Sequence, residues 1–226
     1  MRLLLAPAAL LAVIVWGSIG WGLLAYVVLK ADPWSRLVVA SRAGRLLGQE
    51  STVVLIGDSI LKAVGSPCST FANFAVPGAR ARDVPAGLIA EVARLKPSVV
   101  LVMFGINDLR AGAGPSETAR SVATLSRRFQ AAVPHARLVI LAPLPITHNS
   151  NAGAANNAAV GELAAVIRIE LKDDNVRVSD FAALFGKGEL APELTDDGLH
   201  LNAKGVQFLT ALVEAVAIAA GAKACR

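Results

Sequence analysis

The chain has 226 residues, of which 54% are apolar and only 17% are charged. This composition excludes intrinsic disorder, which requires low hydrophobicity and high charge. Basic residues exceed acidic ones by 22 to 17, but no basic stripe interleaved with aromatic residues is visible, so we expect no nucleic-acid partner. Two cysteines and three histidines, none of them in an H-E-x-x-H pattern, predict no metal site.

The N-terminal segment carries most of the apolar excess. Leu3–Leu29 is a run of 27 residues without a charge, and as a helix it would be about 40 Å long, which exceeds the ~30 Å hydrocarbon core of a bilayer. The apolar region of a simple signal peptide has only about 7–15 residues. Tyr26 and Trp34 fit the aromatic belt that forms at a membrane surface. We therefore predict a transmembrane anchor, or an uncleaved signal, within residues 1–30 and membrane contact through residues 3–29.

The charges that flank this segment do not fix its orientation. Four basic residues follow it within residues 30–45, whereas only Arg2 and the α-amino group precede it. The positive-inside rule then favours a cytoplasmic domain, but long domains translocate largely regardless of charge. We expect the remaining chain on the periplasmic or extracellular side.

Residues 31–50 are predicted as a juxtamembrane linker that could contain a short helix, and residues 51–226 as one domain. Short apolar runs predict strands at Thr52–Gly57, Thr70–Val76, Ser98–Phe104, Arg137–Ala142 and Asn175–Ser179. Helical spacing predicts helices at Ala81–Leu95, Pro115–Ala132, Ala154–Leu171 and Asn202–Ala219. Alternating helices and continuous apolar strands indicate a parallel sheet covered on both faces, which is a doubly wound α/β fold.

Small, polar and titratable residues follow the predicted strands, where open α/β sheets bind their ligands. A serine becomes nucleophilic when a base such as histidine takes its proton, and a carboxylate must orient that imidazole. Ser59, His200 and Asp197 supply these three groups. Asp196 competes with Asp197 for the carboxylate role, and the three-residue spacing to His200 favours Asp197. Asp58 and Asp108 are interpreted as scaffold hydrogen-bonding groups.

Stabilisation of a tetrahedral oxyanion requires hydrogen-bond donors. Gly78 can offer a backbone N–H at close approach because it has no side chain, and Asn107 can offer its side-chain amide.

Four segments resemble the blocks of the SGNH (GDSL-type) hydrolase family: GDSI, N-x-A-x-x-G, FGIND and DGLHLNAKG. The resemblance covers roughly residues 53–205, with Ala75 standing where many members have glycine. It implies a flavodoxin-like three-layer α/β/α sandwich, here with five parallel strands, and neither a metal nor an organic cofactor. It also implies the following roles: catalytic residues Ser59, Asp197 and His200, and oxyanion-hole donors Ser59, Gly78 and Asn107.

We therefore predict a serine esterase that hydrolyses O-acyl esters of a small molecule, a glycan or a lipid. One alternative is an O-acyltransferase that uses the same triad on an envelope glycan or lipid. Another is a membrane-anchored binding scaffold without activity, which the intact set of motifs disfavours. The sequence leaves the acyl chain, the alcohol and the oligomeric state open.

Cys68 and Cys225 are the only cysteines. In an oxidising compartment they could bridge the C-terminus to the loop after the nucleophile turn, and two free thiols are equally compatible with the sequence. We adopt the bridge as a hypothesis.

Overall fold

The computed structural model describes residues 32–46, 52–147, 155–172, 174, 176–186 and 188–225. One five-stranded sheet forms the centre of this part of the chain, with the strand order β2-β1-β3-β4-β5 and parallel pairing throughout. This is the strand order of flavodoxin-like folds, as the sequence predicts. The strands are β1 Val53–Gly57, β2 Phe71–Asn73, β3 Val99–Met103, β4 Arg137–Leu141 and β5 Val176–Ser179.

Helices connect and flank the strands. They are α1 Pro33–Leu46, α2 Ser59–Ala63, α3 Ala86–Leu95, α4 Ile106–Arg110, α5 Pro115–Ala132, α6 Asn157–Glu170, α7 Ala182–Phe185 and α8 Ala203–Ala219, with 3-10 turns at Ala81–Asp83 and Pro192–Leu194.

The helix predicted over Ala81–Leu95 and the strand predicted over Thr70–Val76 are both shorter in the structure. The predicted helix starts at residue 81, but residues 81–83 form only a 3-10 turn, and α3 begins after Pro85. The α conformation is disfavoured for the residue before a proline, here Val84. The second strand is limited to the three residues of β2.

The sheet is the core of the molecule. Every residue of β1 and β3 is buried, which explains why these strands have no polar alternation. All strands point the same way, so their carboxyl ends share one edge, which we call the rim. The rim is formed by Gly57, Asn73, Met103, Leu141 and Ser179, and the opposite edge begins at Val53, Phe71, Val99, Arg137 and Val176.

Residues 33–46, within the predicted linker, form a helix that packs on the domain. Trp34 is only 7% exposed and belongs to the hydrophobic core, so its assignment to a membrane aromatic belt is wrong. The Glu91 carboxylate of α3 is fully buried, and it accepts hydrogen bonds from Ser41 Oγ and Arg42 Nε, both at 3.1 Å. Arg94 Nη1 lies 3.6 Å from the same carboxylate. α1 is thus fixed to α3 by a buried tryptophan and a buried charge.

The predicted transmembrane segment, residues 3–29, lies outside the described residues. Within the described ranges, no helix combines the length and the apolar character that a membrane crossing requires.

The predicted disulfide between Cys68 and Cys225 is confirmed, with their Cα atoms 5.8 Å apart. Cys68 lies in the connection between α2 and β2, and Cys225 follows α8 near the C-terminus. This connection reaches β2 at the edge opposite to the rim, so the bridge anchors the chain end away from the rim.

Replacing both cysteines by serine is expected to lower the free energy of unfolding by roughly 2–5 kcal/mol, because the bridge closes a long loop in the unfolded chain. Urea unfolding of the purified full chain measures this change. Wild-type protein in the same buffer without reductant is the control. An unchanged free energy of unfolding would show that the bridge does not stabilise the fold.

Candidate active site

Ser59 is the first residue of α2, directly after β1 reaches the rim. The turn is so tight that a Cβ at Gly57 would lie 2.8 Å from the carbonyl oxygen of Met103 and 2.9 Å from Leu61 Cβ. Asp58 caps the helix, and its Oδ1 accepts a hydrogen bond from the Ile60 N–H at 3.0 Å. The structure therefore presents the Ser59 hydroxyl at a strand-to-helix turn on the rim.

The imidazole of His200 bridges this hydroxyl to a carboxylate. Its Nε2 lies 3.1 Å from Ser59 Oγ, and its Nδ1 lies 2.7 Å from Asp197 Oδ2. The other Asp197 oxygen accepts the backbone N–H groups of Leu199 and His200 at 2.9 and 2.7 Å. Asp197 rather than Asp196 is therefore the partner of the imidazole.

The electrostatics of Asp197 favour its charged form. Partial burial acts to raise its pKa, but the hydrogen bonds from the His200 side chain and from two backbone N–H groups outweigh it and lower the pKa to about 2. The carboxylate is thus ionised at neutral pH and can stabilise a protonated imidazole. Both side chains are about half exposed, at 53% for Asp197 and 47% for His200, so the site is open to solvent.

Thr195 holds the loop that carries these two residues, and sequence reasoning misses it. Its Oγ1 donates to the carbonyl of His200 at 2.6 Å and accepts the Gly198 N–H at 2.9 Å. The carbonyl of Gly198 accepts the Thr147 N–H at 2.7 Å, which ties the loop to the chain that follows β4. The sequence signal for this role of Thr195 is weak: it is a hydroxyl residue at the start of an aspartate-rich turn, and such residues favour local hydrogen bonds to the backbone.

The two further donors predicted for an oxyanion lie on neighbouring rim loops. Gly78 has a φ of +76°, a conformation that favours glycine. The side-chain amide of Asn107 donates to the carbonyl of Ala79 at 3.2 Å, so it is held beside Gly78. The side-chain amide has two hydrogens, and the bond to Ala79 uses one of them.

Asn73, the first residue of the second motif, positions this loop. Its amide donates to the carbonyls of Leu61 and Gly65, at 3.0 and 2.6 Å, and its Oδ1 accepts the Ala75 N–H at 2.9 Å. It thereby joins α2, which begins with Ser59, to the chain that leads to Gly78.

Two buried carboxyl groups lie next to the site residues in sequence. Burial raises the pKa of Asp58 to about 7, with a further rise from Asp108, whereas the Ile60 N–H and the charge of His200 act in the opposite direction. Burial also raises the pKa of Asp108 to about 6, against the attraction of Arg82 and Arg80. The scaffold interpretation is confirmed for Asp58, which caps α2. It fails for one oxygen of Asp108, because Oδ2 has no hydrogen-bond partner among the described residues.

No group of three or more histidine, cysteine, aspartate or glutamate side chains in the described ranges is arranged to hold a metal ion. What the geometry offers is a hydroxyl within hydrogen-bond distance of an imidazole, a carboxylate behind it, and amide donors on the adjacent loops. This arrangement can support nucleophilic attack on a carbonyl group.

Most of the domain matches the model of a known protein family. The model of the GDSL-like lipase/acylhydrolase family matches residues 58–208, which is 151 of the 226 residues. The chain belongs to this family. No curated protein sequence matches it.

Solved structures share the family fold at low sequence identity. A GDSL-like lipase from Bacteroides thetaiotaomicron is 18% identical, with a TM-score of 0.67 over 83% of this chain and 98% of the other. A lipase/acylhydrolase from Enterococcus faecalis is 21% identical, with a TM-score of 0.58 over 72% and 93%. A carbohydrate esterase family 3 protein from Talaromyces cellulolyticus is 21% identical, with a TM-score of 0.57 over 75% and 97%. These likenesses establish the α/β fold of the family.

The raised pKa of Asp58 predicts a pH-dependent stability. A folded pKa of about 7, against an ordinary value near 4, means that the folded state binds more protons between these values, so stability falls as pH rises through this window. Asp58→Asn keeps a helix-capping side chain and removes the charge. Between pH 5 and pH 8 the variant is expected to gain roughly 2 kcal/mol of stability relative to wild type.

Urea unfolding of both proteins at the two pH values measures this difference. Asp196→Asn, which removes an exposed carboxylate, is the control and is expected to show no such trend. A difference between Asp58→Asn and wild type that does not vary with pH would contradict a raised pKa.

Proposed function

We propose that the protein is a membrane-anchored serine esterase that cleaves O-acyl esters. The observation that carries the proposal is the continuous hydrogen-bonded chain from Asp197 through His200 to Ser59. The family provides independent support, since lipases, an acylhydrolase and a carbohydrate esterase are among the structures that share its fold.

In the first step the Ser59 hydroxyl attacks the ester carbonyl while His200 Nε2 takes its proton. The carbonyl oxygen becomes an oxyanion, and its donors are the backbone N–H groups of Ser59 and Gly78 and the amide of Asn107. Preorganised donors of this kind stabilise the charge that develops in the transition state. Asp197 remains ionised, because its pKa is about 2, and stabilises the protonated imidazole.

The tetrahedral intermediate then collapses and expels the alcohol, which receives its proton from His200. The acyl group remains on Ser59 as an ester. His200 next removes a proton from water, which attacks this ester. The bond from the acyl carbon to Ser59 Oγ then breaks, the acid leaves, and His200 returns the proton to Ser59. The exposed position of His200 gives water access for this second step.

The proposal also includes the anchor and export. The uncharged run of residues 3–29 is long enough to span a bilayer. The disulfide between Cys68 and Cys225 supports export, because disulfides persist mainly in oxidising compartments. We therefore place the catalytic domain on the periplasmic or extracellular side.

Ser59→Ala and His200→Ala are each expected to lower kcat for a nitrophenyl ester by roughly 10⁴–10⁶-fold, because the two residues act as a unit. For the same reason the double variant is expected to lose little more than either single variant. Steady-state hydrolysis by the purified full chain measures these losses. Full activity of Ser59→Ala, or losses that multiply in the double variant, would contradict the proposed mechanism.

Asn107→Ala is expected to lower kcat by about 10²–10³-fold with a small change in KM, because an oxyanion donor acts mainly in the transition state. Asn107→Asp tests the same position with a group of similar shape that repels the oxyanion, so it is expected to be at least as inactive. Activity close to wild type in both variants, measured with the same nitrophenyl ester, would remove Asn107 from the oxyanion hole.

A further inference from the structure

The direction of α1 along the domain can be determined from its contacts with α3. Trp34, Ser35 and Val38, in its first half, line the same cleft as Asp83, just before α3, and Leu88, in its first turn. Its second half meets α3 later, where Arg42 pairs with Glu91. The two helices therefore run side by side in the same direction.

The beginning of α3 lies at the rim. The chain leaves β2 at the rim, passes Gly78 and the 3-10 turn Ala81–Asp83, and then enters α3, which returns toward the opposite edge. Because α1 is parallel to α3, its N-terminal end also lies on the side of the rim. Its C-terminal end lies about 20 Å further along the helix axis, at 1.5 Å per residue over 14 residues.

Hydrogen bonds to Asp32 fix the start of this helix. Asp32 Oδ1 accepts the backbone N–H groups of Trp34 and Ser35 at 3.0 and 3.1 Å, and Oδ2 accepts the Ser35 hydroxyl at 2.6 Å. Trp34 is buried in the core directly after this cap. In the sequence, only residues 30 and 31 lie between this cap and the uncharged run that ends at Leu29.

Those residues set a short upper limit on the separation. The uncharged run ends at Leu29, and three residues span at most about 10 Å when extended. We propose, on the basis of the esterase function and anchor proposed above, that α1 holds the catalytic rim at the membrane surface, so that the enzyme acts on acyl esters of lipids in the bilayer that anchors it. The ester carbonyls of such lipids lie at the boundary between headgroups and acyl chains, within reach of a rim held there.

The orientation is tested by the depth of two labels on the full chain in vesicles of phosphatidylcholine and phosphatidylglycerol. Ser116→Cys places a thiol at the start of α5 on the rim side, and His135→Cys places one in the turn before β4 at the opposite edge. Both positions are exposed. Labelling without reductant leaves the bridge between Cys68 and Cys225 intact, so only the introduced thiol carries the fluorophore.

Quenching by a lipid with a spin-labelled headgroup is expected to be at least threefold stronger at residue 116 than at residue 135. Equal quenching, or stronger quenching at residue 135, would overturn the proposed orientation. Failure of the chain to float with the vesicles would overturn both the orientation and the anchor.

A kinetic test uses a chain with twelve glycine and serine residues inserted between Lys30 and Ala31. Hydrolysis of nitrophenyl acetate in water is expected to stay unchanged, because the insertion does not touch the site. Hydrolysis of nitrophenyl palmitate held in the same vesicles is expected to fall several-fold, because the rim is no longer kept at the surface. Equal rates for both chains on the vesicle-held ester would count against the inference.

The two substrates separate this inference from the proposed function. Absence of nitrophenyl acetate hydrolysis by wild type would contradict the esterase itself. The uninserted chain could hydrolyse nitrophenyl acetate and yet cleave the vesicle-held ester no faster than the chain with the insertion. That result would contradict only the membrane-facing rim.

Discussion

The hydrogen bond between His200 Nε2 and Ser59 Oγ joins residues 141 positions apart in the chain, and the proposed chemistry depends on it. Two features make it possible. All five strands are parallel, so the residues that follow them meet at one rim. The loop that carries His200 is locked by Thr195 and by the Asp197 carboxylate, which together satisfy three backbone N–H groups and one carbonyl around it. The imidazole is thereby aimed by backbone hydrogen bonds rather than by burial, which allows the site to remain open.

The sequence predicts the strands well, and it predicts that the motif residues follow them at the rim, because both leave strong local signals. β1 and β3 are continuous apolar runs, and the motif residues occupy strand ends, where a parallel sheet places its ligands. The role of residues 33–46 is less predictable. This segment has no acidic residue and three arginines, and its attachment depends on Glu91, a partner about fifty positions away. Trp34 could serve a membrane interface or a core equally well by composition, and only the tertiary contacts distinguish the two. Proline explains the late start of α3, whereas the supporting role of Thr195 has only a weak local signal.

Among the described residues, carboxyl groups of Asp and Glu are buried at two places, with different consequences. Glu91 is fully buried, but arginines of two helices and a serine hydroxyl surround it, so it acts as a joint between α1 and the domain. Asp58 and Asp108 are buried beside the site residues with less compensation, and burial raises the pKa of both. Removal of one partner from a buried ion pair is costly, because it leaves an uncompensated charge. The joint therefore fixes α1 against α3, while burial raises the pKa of the two carboxyl groups that lie next to site residues in the chain.

The most direct test of the proposed mechanism is a crystal structure of the protein after reaction with a phosphonate ester, which mimics the tetrahedral intermediate. The mechanism predicts a covalent bond from phosphorus to Ser59 Oγ. It also predicts a phosphonyl oxygen about 3 Å from the backbone nitrogens of Ser59 and Gly78 and from the amide nitrogen of Asn107. An adduct on another residue, or a phosphonyl oxygen turned away from all three donors, would contradict it.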